Sequence, residues 1–178
     1  MRPQGRAATE SLYFQYPHFD ASRRPSAAPQ SAGVVIVGAG PVGMTAALTL
    51  ARWGVPCTLL DNKATFNDGS RAICLARQSF HIFESVGVVD AFLDKALPYL
   101  SGRSFYRGQQ ILEFFMPDGT DQKYRPMYNL QQQYTEAFLY AEVARQPLIE
   151  VRWQTELTDV QARADGATLT LTDPQGAY

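Results

Sequence analysis

Cysteine is scarce in this 178-residue sequence, and histidine is equally so: two of each. Cys57 and Cys74 stand seventeen positions apart. They form no CxxC and no zinc spacing, and two thiols make no disulfide framework. His18 and His81 are too few and too separated for a histidine-rich metal site, so no metal is expected. Charge of one sign is also missing. Sixteen basic and seventeen acidic side chains leave a net charge of −1, so no global basic field exists to hold nucleic acid or an anionic membrane. Long hydrophobic runs are absent too. The apolar run near Val34 to Val37 is bounded by glycines and falls far short of the ~20 residues a spanning helix needs. These absences point to a cytoplasmic protein of a reducing compartment, with no membrane and no nucleic-acid partner.

What is present suits a globular core: 46% hydrophobic and 19% charged residues, enough length and apolar content for one domain. Residues 1–32 read as an extended leader. They hold four of the eleven prolines and show neither helical nor strand periodicity. Arg23-Arg24 is followed by no apolar stretch, which excludes a twin-arginine signal. Tyr13, Phe14, Tyr16 and Phe19 are apolar enough to lie on a folded surface, and a disordered tail is the alternative.

From Gly33 the pattern changes, and residues 33–178 read as the amino-terminal part of a nucleotide-binding domain. Val34-Val35-Ile36-Val37 is a β-branched run of the kind buried on both faces of a sheet. Gly38 to Gly43 follow, then a helix over Met44 to Trp53 with Pro41 in its first turn and Gly54 at its end. Pro56 to Asp61 reads as the next strand. This is a βαβ unit with parallel strands. The spacing further predicts helices over Gln78–Val86 and Val89–Leu97, and a hairpin of Ser104–Arg107 with Ile111–Met116. A helix over Gln133–Arg145 and a third strand over Leu148–Trp153 complete the α/β pattern. Leu157–Arg163 and Ala167–Thr172 flank Asp165-Gly166, a two-residue hairpin signal, with Ala167, Leu169 and Leu171 on its buried face. The turn at Pro174-Gln175-Gly176 is expected to lead to a strand that the chain does not contain.

The central motif is Gly38-x-Gly40-x-x-Gly43 with Asp61, twenty-three positions after Gly38. A lone GxGxxG is weak, but here a strand precedes it, a helix follows and an acid ends the next strand. Gly38 permits the tight turn, Gly40 lets backbone approach a pyrophosphate, and Gly43 lets helix and sheet pack closely. The helix N-terminus offers free N–H groups to phosphate. Asp61 can accept hydrogen bonds from ribose hydroxyls, and its charge weighs against NADP. The motif does not separate NAD from FAD, and a binding-silent glycine turn is the bland alternative. Two further segments, Gly69-Ser70-Arg71-Ala72 and Asn129-Leu130-Gln131-Gln132, could contact a cofactor. Read alone, they are a surface arginine and a polar helix start. No Ser-His-Asp set, paired catalytic carboxylates or GxSxG occurs, so no catalytic residue is assigned.

Taken together, VVIVGAGPVG, the LLD ending at Asp61, GSRAICLAR (69–77) and NLQQQYTEAFL (129–139) resemble the amino-terminal part of the FAD-dependent aromatic-ring hydroxylases. These are the single-component flavin monooxygenases related to p-hydroxybenzoate, phenol and 3-(3-hydroxyphenyl)propionate hydroxylases. The resemblance implies a Rossmann-like FAD-binding fold, a parallel sheet plus β-meander, incomplete at the C-terminus. It implies FAD as cofactor, NADH or NADPH as co-substrate, and a small phenolic substrate hydroxylated with O2. The cofactor-binding set it implies is Gly38, Ala39, Gly40, Pro41, Val42, Gly43, Asp61, Asn62, Arg71 and Gln132. Gln133 stands where relatives often carry an aromatic. The later fingerprints of that family are absent, so the chain reads as a fragment, inactive by itself. A non-catalytic FAD- or nucleotide-binding module and an NAD-linked reductase stay open, as does a homodimer.

Overall fold

The computed structural model describes residues 14–22, 31–67 and 72–178. In chain order its elements are β1 (Val35–Val37), α1 (Pro41–Arg52), β2 (Cys57–Leu60), β3 (Cys74–Ala76), α2 (Arg77–Ser85), α3 (Val89–Lys95), β4 (Leu97–Tyr99), β5 (Ser101–Tyr106), β6 (Gln109–Phe115), β7 (Met127–Asn129), α4 (Gln132–Val143), β8 (Ile149–Arg152), β9 (Glu156–Arg163), β10 (Gly166–Asp173) and β11 (Gly176–Ala177). They divide into two units, Met1–Asp68 with Glu136–Tyr178, and Gly69–Thr135. Among the described residues no helix is long and apolar enough to cross a membrane.

The first unit is built on a parallel sheet, β1-β2-β8. Val35 pairs with Thr58 and Val37 with Leu60, and on the other side Cys57 pairs with Ile149 and Leu60 with Arg152. β2 is buried along its whole length. β1 departs from the expectation of burial on both faces: Val37 is 55% exposed. The reason is position. β2 lies between two strands, whereas β1 pairs with β2 alone among the described residues. α1 packs on this sheet through Met44, Ala47 and Leu48, the i, i+3, i+4 face that helical periodicity requires. Gly54 ends it with a left-handed φ of +73°.

A second, antiparallel sheet in this unit runs β11-β10-β9. The hairpin closes one residue earlier than the sequence suggests: Arg163 pairs with Gly166, leaving Ala164-Asp165 as the loop. Burial is graded along β10. Leu171 is buried, Leu169 is half-buried and Ala167 is exposed. The expectation of a strand missing after Pro174-Gln175-Gly176 is also corrected. Asp173 Oδ1 accepts the Gln175 N–H at 2.7 Å to make the turn. β11 then pairs with Thr172 and Asp173, and Tyr178 and Leu171 exchange both main-chain bonds. β10 is therefore the central strand.

Residues 14–22 lie against the first unit. The Phe19 ring stacks on Trp153, 4.1 Å between centroids and 9° between planes, with Phe66 and Tyr140 at its edges.

The second unit holds the antiparallel sheet β3-β7-β4 and the helices α2 and α3. Its core is aromatic, with Phe80 stacked on Tyr128 at 3.8 Å and Phe83 on Phe92 at 4.0 Å. α3 stops before Leu97 because Pro98 disfavours helical backbone in the residue ahead of it, and Leu97 opens β4 instead. The expected hairpin is present but longer, β5 with β6 around Arg107-Gly108, both with positive φ as a type I′ turn demands. Asp118 accepts from Arg77 at 2.7 Å and from Arg125 at 2.6 Å, pinning the segment between β6 and β7.

Candidate cofactor site

The carboxyl ends of β1 and β2 meet at the glycine turn, where open parallel sheets place ligands. Each glycine there has its own physical reason. Gly38 sits at φ +102°, a conformation that L side chains rarely adopt, and its N–H donates to Leu60 O at 2.7 Å. At Gly43 a Cβ would stand 1.9 Å from Gly38 O and 3.3 Å from the Ile36 side chain, so helix and strand approach as closely as backbone permits. Gly40 is different. Its φ of −83° and ψ of −176° are open to any residue, and a Cβ there would meet no atom within 4 Å. Nothing inside the described protein demands glycine at position 40, and its bare backbone leaves open space on that side.

Gly40 is the N-cap of α1. No side chain caps it, and the first turn carries no acid. Pro41, without an N–H, occupies the first helical position, and Val42 is 83% exposed. The positive end of the helix therefore faces outward beside an open backbone surface, suited to an anion.

Asp61, 8% exposed, closes the site. Its Oδ2 accepts the Ala39 N–H at 2.8 Å and its Oδ1 accepts the Lys63 N–H at 2.9 Å. Its own N–H donates to Arg152 O, and its carbonyl accepts from Thr155 N–H at 2.8 Å. The acid thus ties the glycine turn to the loop after β2, a role its position in the sequence does not disclose. Each carboxylate oxygen keeps a second lone pair for a hydroxyl.

Gly38 to Gly43, Asp61 and the exposed Asn62 share the first unit. Arg71 lies outside the described residues. Gln132 is the first residue of α4, half-buried, and belongs to the second unit. Glu136 stood in the NLQQQYTEAFL segment without an assigned role; it is 1% exposed and accepts both the Asn67 N–H at 2.8 Å and its Nδ2 at 2.6 Å. It anchors Asn67, six residues beyond Asp61 in the loop after β2. Thr65 Oγ1, within that loop, is buried without a hydrogen-bond partner among the described residues, and so is Gln133 Oε1 in α4. The open cradle at Gly40, the uncapped helix end and the acid with spare lone pairs fit an adenine dinucleotide.

A family model described as FAD binding domain matches residues 31–177. The chain belongs to the FAD binding domain family. A curated relative, the 3-(3-hydroxy-phenyl)propionate/3-hydroxycinnamic acid hydroxylase of Mycobacterium sp. (strain JLS), is 33% identical over 138 residues, 78% of this chain and 24% of that protein. The solved structure of the flavin-dependent monooxygenase PieE, in complex with FAD and substrate, superposes with a TM-score of 0.74 at 28% identity, over 85% of this chain and 29% of that one. The p-nitrophenol 4-monooxygenase PnpA from Pseudomonas putida DLL-E4 shares the fold, with a TM-score of 0.74 at 23% identity over 83% of this chain and 38% of that one. This FAD binding domain therefore spans about a quarter of the length of the curated relatives it matches. The α/β architecture and the family expected from the glycine turn and the GSRAIC and NLQQ segments are both found.

Proposed function

We propose that this FAD binding domain holds FAD for a monooxygenase that hydroxylates a phenolic aromatic substrate at the expense of NADH or NADPH and O2. The observation that carries the cofactor reading is Gly40: a glycine with ordinary backbone angles and empty space where its Cβ would stand. Gly38 to Gly43 and the α1 N-terminus receive the pyrophosphate, with main-chain N–H groups offered from Val42 onward, while Ala39, its N–H engaged by Asp61, and Pro41, which has none, line the approach. Asp61 accepts from the adenosine ribose, beside Asn62. The resemblance adds Arg71 at the phosphate or ribose and Gln132 at the cofactor.

Bound FAD supplies hydride acceptance and oxygen activation. The chain's contribution is binding and orientation. The N–H groups of the first turn and the helix dipole offset the pyrophosphate charge. Asp61, fixed from two sides by Ala39 and Lys63, keeps a lone pair on each carboxylate oxygen for the ribose hydroxyls. No described side chain is assigned a proton-transfer step. The substrate class comes from the relatives named for hydroxylation of hydroxyphenyl acids.

The test is oxygen uptake by the protein that carries this chain, supplied with FAD, NADH or NADPH, and 3-(3-hydroxyphenyl)propionate or a simpler phenol. Phenol-stimulated uptake with formation of a catechol or hydroquinone is the expected result. NAD(P)H oxidation indifferent to every phenol, with no hydroxylated product, contradicts the reading.

A further inference from the structure

We infer that Phe19 and Gln154 are positioning residues for Asp61, and that they set how firmly the adenosine ribose is gripped. The inference rests on the FAD reading above. Both main-chain groups of Phe19 are engaged: its N–H donates to Ala64 O at 2.7 Å, and its carbonyl accepts from Gln154 Nε2 at 2.8 Å. The first bond reaches the loop after β2 and the second the turn after β8. The stacked Trp153 and the edges of Phe66 and Tyr140 fix the ring between the same two segments.

Gln154 stands at φ +52°, a left-handed conformation that costs a non-glycine residue roughly 1 kcal/mol. Such an outlier persists where its surroundings over-determine it, and it points to function. In that conformation its main-chain N–H donates to Lys63 O at 3.1 Å while its side chain holds Phe19. Lys63 in turn donates its N–H to Asp61 Oδ1, Thr155 donates to Asp61 O, and Asp61 Oδ2 accepts from Ala39 in the glycine turn. The contacts form one connected circuit, from Phe19 through Gln154 and Lys63 to Asp61 and the turn. Glu136 holds the same loop further along, at Asn67. A carboxylate oriented before the ligand arrives binds a hydroxyl with less ordering cost than one on a loose loop.

Gln154→Gly separates positioning from folding. Glycine suits φ +52° and keeps the N–H, so the backbone strain is relieved and only the amide that holds Phe19 is lost. Phe19→Leu, which keeps an apolar side chain and removes the stack, is the second variant. FAD and its analogue with 2′-deoxyadenosine are titrated against each protein. The parent protein is expected to prefer FAD by about tenfold, the size of one hydrogen bond to a charged acceptor. In both variants FAD weakens by about five- to tenfold, the analogue scarcely moves, and the preference falls toward one. The unfolding midpoint of Gln154→Gly without FAD stays close to the parent's, because relief of the left-handed strain offsets the lost amide bond. A merely structural role weakens both ligands alike, and full retention of the preference, with or without an equal loss of affinity for both ligands, overturns the inference. A parent protein that binds neither ligand, or both equally, overturns the ribose assignment of Asp61 itself and the inference with it.

Discussion

Gly40→Val and Gly43→Ala are separated by only three positions, and the structure predicts opposite consequences. At Gly43 the added Cβ lies 1.9 Å from a backbone oxygen, far inside contact distance, and the obstacle is not the end of a flexible side chain that can swing away. Either α1 or the turn must move. Overpacking of this kind costs about 1–3 kcal/mol, and a loss of that size lowers the melting temperature of a chain this long by roughly 2–4 °C per kcal/mol, with or without FAD. At Gly40 the valine side chain enters open space with an allowed backbone. The folded protein loses only the preference for glycine over valine at an N-cap, about 1 kcal/mol or less. The bound state is different, because a branched Cβ occupies the approach path of the pyrophosphate. FAD affinity should fall by at least about a hundredfold, which is ~2.7 kcal/mol. Thermal unfolding without FAD, paired with a flavin-fluorescence titration, reads both quantities. The reasoning is refuted if Gly40→Val binds FAD as the parent does, or if it unfolds as early as Gly43→Ala.

Asp61→Ala removes the acceptor of the Ala39 and Lys63 N–H groups, so it should lower stability by about 1–3 kcal/mol as well as weakening FAD, and the melting temperature without FAD checks the first part. Cys57 is buried in β2 while Cys74 is exposed, and burial pushes the Cys57 thiol above its ordinary value of 9.0; native protein should take up one equivalent of iodoacetamide quickly, at Cys74, and the second only on unfolding. The same raised value means that the neutral Cys57 thiol favours the folded state below pH 9 and that this contribution is lost as pH climbs through the raised value, so Cys57→Ala should flatten the alkaline decline of stability. Asp118→Ala leaves Arg77 and Arg125 without their shared carboxylate and should cost about 1.5–3 kcal/mol, measured by urea unfolding.

The βαβ unit was legible because three signals coincide within thirty residues: a β-branched run, glycines at fixed offsets and an acid ending the next strand. The distinct duties of Gly38 and Gly43 followed from the same motif. β3, β4 and β7 were not legible, since three residues are too few for alternation to show. Partial exposure of β1 was hidden because a β-branched run reports strand propensity, not how many neighbours the strand acquires. The short β11 escaped for a similar reason, with two residues and no apolar pattern. Phe19, Gln154 and Glu136 meet the segment after β2 at Ala64, Lys63 and Asn67, which lie 45, 91 and 69 residues away in sequence, and no local spacing encodes such contacts. The bond from Ala39 to Asp61 was likewise invisible, because only the fold brings Ala39 to that carboxylate, whereas the bond from Lys63 is a local contact two residues on.

The central claim, that the glycine turn and Asp61 hold FAD, is tested most directly by the cofactor the protein carries. The purified protein that contains this chain should be yellow, and denaturation should release FAD in a one-to-one ratio, identified by its absorption and by chromatography. A colourless protein that ignores added FAD and binds NAD tightly contradicts the account.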